Sequence, residues 1–105
     1  MPKPYKLTPA QQLLLIHLKE LGLQAEPEFQ FSPERKWRID VYIPEARLGI
    51  ECNGGRYKRG HRSSRDTDKD NEKMNTISMM GIRCLQFTNE QILTGAAKEF
   101  VQKWL

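Results

Sequence analysis

The sequence predicts an α/β domain of order α-β-β-β-α-β-α, with a mixed four-stranded sheet flanked by helices. Three observations carry this. Residues 37–43 and 48–53 alternate apolar and polar side chains about the turn Pro44-Glu45-Ala46-Arg47, the mark of a hairpin of half-buried strands. Residues 9–21 and 89–104 repeat apolar side chains at helical spacing, each behind a threonine. After the hairpin come a helical stretch and one more strand, the sequence of elements that builds a parallel crossover. With 105 residues and 38% hydrophobic content, the chain supplies one modest core, so residues 1–105 form one domain.

Residues 1–7 are a loose lead-in carrying Lys3 and Lys6. Thr8 caps the first helix, with Pro9 at its first position. Leu13, Leu14, Ile16, Leu18 and Leu21 form its apolar stripe, and Gly22 stops it. Glu26 to Phe31 is the first strand, with Phe29 and Phe31 on one face and Glu28 and Gln30 on the other. Ser32-Pro33-Glu34-Arg35 turns the chain into the hairpin, so the first three strands form an antiparallel meander. In the hairpin Ile43 meets Leu48, Val41 meets Ile50 and Ile39 meets Cys52, with Trp37, Ile39, Val41 and Ile43 sharing a face. The same register sets Asp40 opposite Glu51 on the other face.

A second helix is expected from about Arg65 to Met80. Asp66, Asp68, Asp70 and Glu72 suit its N-terminal dipole, while Met74, Ile77, Met79 and Met80 pack. Gly81 ends it, and Ile82 to Phe87 is the fourth strand. The last helix opens at Thr88-Asn89-Glu90 and runs to about Trp104, with Ile92, Leu93, Ala96, Phe100, Val101 and Trp104 as its apolar side.

Like charges directly opposite on a sheet repel, so Asp40 and Glu51 call for a cation. Two readings stand. In one, the pair is a solvated strand face neutralised by Arg38 or Arg47. In the other it is a hard-cation site, since Mg2+ takes one or two carboxylates plus waters and substrate phosphates. The stretch after the hairpin shifts the balance toward the second. Gly54-Gly55 leads into Arg56, Lys58, Arg59, Arg62 and Arg65 with no acid among them, and Tyr57 and His61 interleave. Such a loop suits contacts to a phosphate backbone, against the plainer reading of a solvated charge run. A net charge of +4 points equally to an anionic partner. Cys52 and Cys84 have no CxxC spacing, which gives neither a zinc site nor a disulfide framework; reduced thiols in a cytoplasmic protein are expected. The longest apolar run, Leu13 to Ile16, is too short to span a membrane, and the N-terminus lacks a signal peptide.

The element order, with acids on the second and third strands, resembles the PD-(D/E)xK nuclease superfamily and its restriction-endonuclease-like core. Asp40 followed by Glu51-Cys52-Asn53 stands where that family has its Asp and its Glu-x-Lys. More narrowly, KWRIDVYIPEARLGIECNGG, Gly60-His61, DNEKMN and GIRCLQFTNE look like a group of small phage and bacterial proteins. These are similar to Holliday junction resolvases and to very-short-patch repair endonucleases, and the match covers residues 28–90. The resemblance implies an endodeoxyribonuclease dependent on Mg2+, with Mn2+ as a substitute. Asp40, Glu51 and the Cys52 backbone carbonyl would bind the metal, with Glu28 as a further candidate ligand. DNA, branched or duplex, is the implied partner, contacted by Arg56, Tyr57, Lys58, Arg59, Arg62 and Arg65. A chain this short covers a limited stretch of duplex, so a homodimer cutting two strands is expected.

Two positions depart from the family pattern. Asn53 stands in place of the lysine and faces the site without a charge; Lys73 on the second helix or His61 on the loop would supply the missing group. Related enzymes often carry a Glu on the first helix, where this chain has Gln11 and Gln12. Two other functions fit the same residues: a sequence- or mismatch-specific nicking endonuclease, and a DNA-binding module whose active site decayed with the lysine.

Overall fold

The computed structural model describes the backbone of residues 6–52 and 64–105 and the side chains of 6–52 and 67–105. Thr8 caps helix α1 (Pro9–Glu20) through a reciprocal capping box: its hydroxyl accepts from the Gln11 N–H, and its own N–H donates to Gln11 Oε1. Gly22, at φ +81°, lies just past the helix end, in the left-handed conformation that glycine takes most readily. Strands β1 (Glu26–Gln30), β2 (Arg38–Ile43) and β3 (Leu48–Cys52) form the expected antiparallel meander, with a 3-10 turn at Pro44–Ala46. Helix α2 (Ser64–Met79) crosses over to β4 (Arg83–Phe87), which pairs parallel to β3. The sheet order is β1-β2-β3-β4.

The last helical stretch departs from expectation. It is two helices, α3 (Asn89–Leu93) and α4 (Ala96–Trp104), broken where Gly95 adopts φ +88°. The break re-phases the C-terminal helix. Ala97 and Val101, four apart, face inward, while Phe100 and Trp104 stay largely exposed.

The sheet lies between two groups of buried side chains. On one side Leu14 and Leu18 of α1, Ile92 of α3 and Val101 of α4 pack on Val41, Ile43, Leu48 and Ile50. On the other, Ile77 of α2 packs with Phe31, Ile39, Tyr42 and Ile82. Four further large side chains expected to pack do not: Ile16, Met79, Met80 and Leu93 are 53%, 86%, 39% and 62% exposed. In α1 the buried positions are Ala10, Gln11, Leu14 and Leu18, a face narrower than the run of leucines implied. Ile16 and Met79 each lie two residues past a buried position, Leu14 and Ile77, which on a helix points them away from the sheet.

The alternation expected along β2 also fails at one point. Val41 and Ile43 face α1, as period two requires, but Ile39 joins Tyr42 on the α2 side. The expected Ile39–Cys52 contact is therefore absent from the core, and Cys52 packs on the α1 side. The switch falls at Asp40. Across from it on β1, between the pairs Pro27↔Val41 and Phe29↔Ile39, Glu28 has φ +52°. Gly49 makes room for Ile39 to cross over: a Cβ there would come 2.9 Å from Ile39 Cγ2.

Candidate functional site

The β2–β3 register pairs Ile43 with Leu48, Tyr42 with Gly49 and Val41 with Ile50, which brings Asp40 beside Glu51 as the sequence predicts. Among the described residues the pairing of these two strands ends at Val41↔Ile50. Their outer partners continue, β1–β2 as far as Gln30↔Arg38 and β3–β4 as far as Cys52↔Phe87. Beyond Val41↔Ile50 the carboxylates themselves tie β2 to β3. The Cys52 N–H donates to Asp40 Oδ2 at 2.7 Å, and the Asp40 N–H donates to Glu51 Oε2 at 3.2 Å. Two backbone donors are thus satisfied by ionisable side chains, bonds stronger than neutral ones when the acceptor is charged.

Helix α2 supplies the cation. Ile77 is fully buried against the sheet, and Lys73, one turn earlier, projects from the same side. Its Nζ lies 3.2 Å from Glu51 Oε1, with both side chains mostly shielded from water. Among the described residues, Lys73 is the ammonium that faces the acids, and it is one of the two groups expected to stand in for Asn53. Arg47, an alternative counter-charge at the sequence level, is engaged elsewhere: its guanidinium donates to the Met80 and Gly81 carbonyls at 2.6 and 3.3 Å. That contact holds the C-terminal end of α2, and an ion pair between Arg35 and Glu72 at 2.6 Å ties the helix to the β1–β2 connection. Lys73 sits between these two attachments.

Burial raises the proton affinity of both acids. Removal from water pushes the Asp40 carboxyl above its ordinary range, and the Glu28 charge adds to this; the Cys52 N–H and Lys73 oppose it. Glu51 is raised first by burial and then by Asp40, with Lys73 acting the other way. Among the described residues, the Lys73 ammonium does not cancel the effect of burial on either acid. The Cys52 thiol is pushed up to about 12 by burial, then by Asp40 and Glu51. It stays protonated at neutral pH and is a poor ligand or nucleophile there, which leaves its backbone as the part able to serve the site. Cys84 is likewise pushed up to about 11, and both cysteines are free thiols.

Gln11 is the residue that sequence reasoning noted without giving it work. Only 3% exposed, it donates from Nε2 to Glu28 Oε2 at 2.8 Å and to the Asp40 carbonyl at 2.9 Å. The readable signal was the Thr8-x-x-Gln11 capping-box spacing, which fixes where the Gln11 side chain starts. Glu28 faces Asp40 across the strands, yet among the described residues no group of three His, Cys, Asp or Glu side chains is close enough to hold a metal ion. Asn53, Arg56, Tyr57, Lys58, Arg59, His61 and Arg62 lie outside the described residues, as does the Arg65 side chain. Among the described residues no helix is long and apolar enough to cross a membrane.

No protein-family model and no curated protein matches the chain. Among solved structures, the catalytic domain of the homing endonuclease I-Bth0305I is similar, with a TM-score of 0.68 over 91% of this chain and 92% of that one. Sequence identity is 20%, so the likeness is one of fold.

Proposed function

We propose that this chain is a Mg2+-dependent DNA endonuclease whose active site is built on Asp40, Glu51 and Lys73. The observation that carries the reading is the Lys73 ammonium against Glu51, beside Asp40, on the face where the motif lysine would act. An ammonium supplied from a neighbouring helix argues against a site that decayed when Asn53 replaced the lysine. The fold shared with a homing endonuclease catalytic domain supports the same reaction class.

The donor set fits the metal. Two buried carboxylates side by side favour added positive charge, and one or two carboxylates completed by waters and substrate phosphates are what Mg2+ takes. Asp40 and Glu51 would hold it, with the Cys52 carbonyl as a further oxygen and Mn2+ as a substitute. When bound, it would supply Lewis acidity to the scissile phosphate and a water of lowered pKa. Asp40, fixed by the Cys52 N–H, and Glu51, fixed by the Asp40 N–H, keep their oxygens in place for it. Lys73 places positive charge where negative charge accumulates on the phosphate oxygens, from a helix held at two points. Arg56, Tyr57, Lys58, Arg59, Arg62 and Arg65 would grip the DNA backbone, and a homodimer would cut both strands.

Branched DNA, four-way junctions foremost, is the proposed substrate. A second reading, cleavage at particular duplex sites, draws support from the homing endonuclease likeness. Incubation with linear, nicked, flapped and four-way DNA, in Mg2+ and in EDTA, separates them. Mg2+-dependent cutting of the junction is the expected result; preferential cutting of one linear sequence favours the second reading. DNA binding that survives EDTA with no cleavage in Mg2+ would contradict both and leave a binding module.

A further inference from the structure

Asp40 is held differently from its neighbours in β2. Its N–H donates to the Glu51 carboxylate and its carbonyl accepts from the Gln11 amide, so side chains partner both of its backbone polar groups. The orientation of that amide is fixed from the other end. Gln11 Oε1 accepts the Thr8 N–H at 3.1 Å, which turns Nε2 toward two acceptors, the Asp40 carbonyl and Glu28 Oε2. A flipped amide would set oxygen against oxygen at both. A buried amide with every polar atom engaged resists rotation, since losing one bond leaves a desolvated group unpaired.

We propose that Gln11 is a positioning residue for the endonuclease site proposed above, and the inference rests on that reading. Clamped by the cap of α1, its amide fixes the Asp40 peptide, and with it the angle at which the Asp40 carboxylate meets the Cys52 N–H. The first helix thereby sets the geometry of an acid that sits on the sheet. Gln11 touches no reacting atom and acts through Asp40.

Two substitutions separate this role from helix capping. Gln11→Glu keeps the oxygen that accepts the Thr8 N–H and, when ionised, removes both donors. Gln11→Met keeps length and bulk and removes all three bonds. The first readout is amide hydrogen exchange in metal-free protein, monitored by NMR. The Cys52 N–H, protected by Asp40, should exchange at least about tenfold faster in both variants while the Ile50 amide keeps its protection. The second is cleavage in Mg2+: Gln11→Met should lower kcat at least about tenfold with KM for DNA unchanged, as a small misplacement of an acid does. Parent-like Cys52 exchange in Gln11→Met, or, if that variant fails to fold, in Gln11→Glu at a pH where its new carboxyl is ionised, overturns the proposal. So does a parent-like kcat in Gln11→Met. A parent protein that never cleaves DNA would defeat the endonuclease reading instead, and the exchange result would then decide by itself whether Gln11 sets Asp40.

Discussion

Asp40 and Glu51 each spend one oxygen on a backbone N–H, and this decides what substitution does there. Asp40→Asn and Glu51→Gln both keep an acceptor oxygen for that N–H while removing a charge from a crowded pair. Metal-free melting temperatures of either variant at neutral pH are expected to equal or exceed the parent's. The pH dependence comes from the direction of the shifts. Both carboxyls bind protons more tightly folded than unfolded, so their favourable contribution is complete below the ordinary carboxylate range. It is lost as pH climbs through the raised values. The advantage of Asp40→Asn over the parent should therefore widen as pH rises from about 4 toward neutrality, and Mg2+ should close it. A gap that narrows with rising pH, measured in thermal melts, would contradict the desolvated pair. Lys73 and His61 make the second comparison. A charged group on a helix packed against the sheet is the kind of fixed donor whose loss is costly, so Lys73→Ala should slow single-turnover cleavage by at least about a hundredfold. His61→Ala should do less, and Asn53→Lys should restore part of the rate to the Lys73 variant. A dead His61→Ala beside a near-normal Lys73→Ala would reverse the ranking.

Within the elements, spacing carried the acids to their places but drew the buried faces of the helices too wide. The hairpin was legible because its pairing is set by its turn and its two alternating strands, and Val41↔Ile50 lands where counting puts it. Lys73 was legible by its distance of one turn from Ile77. Ile39 was not. Its change of face depends on the absent side chain of Gly49 and on the left-handed backbone of Glu28, which no local pattern announces. The exposure of Phe100 and Trp104 was hidden for a similar reason, since Gly95 reads equally as a tolerated helical glycine until the chain breaks there. Gly49→Ala tests the crowding directly. Ile39 is fully buried and β-branched, so it has little freedom to yield, and a loss of about 1–3 kcal/mol in denaturant unfolding is expected. A neutral Gly49→Ala would mean that Ile39 does not lean over β3. For the basic stretch the expectation stays at the level of sequence. Replacing Arg56, Lys58, Arg59 and Arg62 with Ala should weaken binding to every DNA and reduce the salt slope by about one unit per lost phosphate contact. An unchanged slope would remove that stretch from the interface.

At the scale of the molecule, a mixed sheet stands between α1, α3 and α4 on one side and α2 on the other, and the candidate site draws on both layers. β2 and β3 bring the two acids, α2 brings the ammonium, and α1 reaches the Asp40 carbonyl through Gln11. This architecture is what the chain shares with a homing endonuclease catalytic domain, at an identity that speaks for the fold. The order of elements was readable throughout, because a change from period two to helical spacing survives any packing. The link from α1 to Asp40 was not, because it rests on a side-chain bond between residues distant in sequence. The most direct measurement is single-turnover cleavage of a four-way DNA junction by the parent and by Asp40→Asn across a Mg2+ titration. Cleavage by the parent that rises with Mg2+, vanishes in EDTA and is absent from Asp40→Asn at every concentration is the predicted result. Cleavage that persists in EDTA, or in Asp40→Asn at the parent rate, would contradict it.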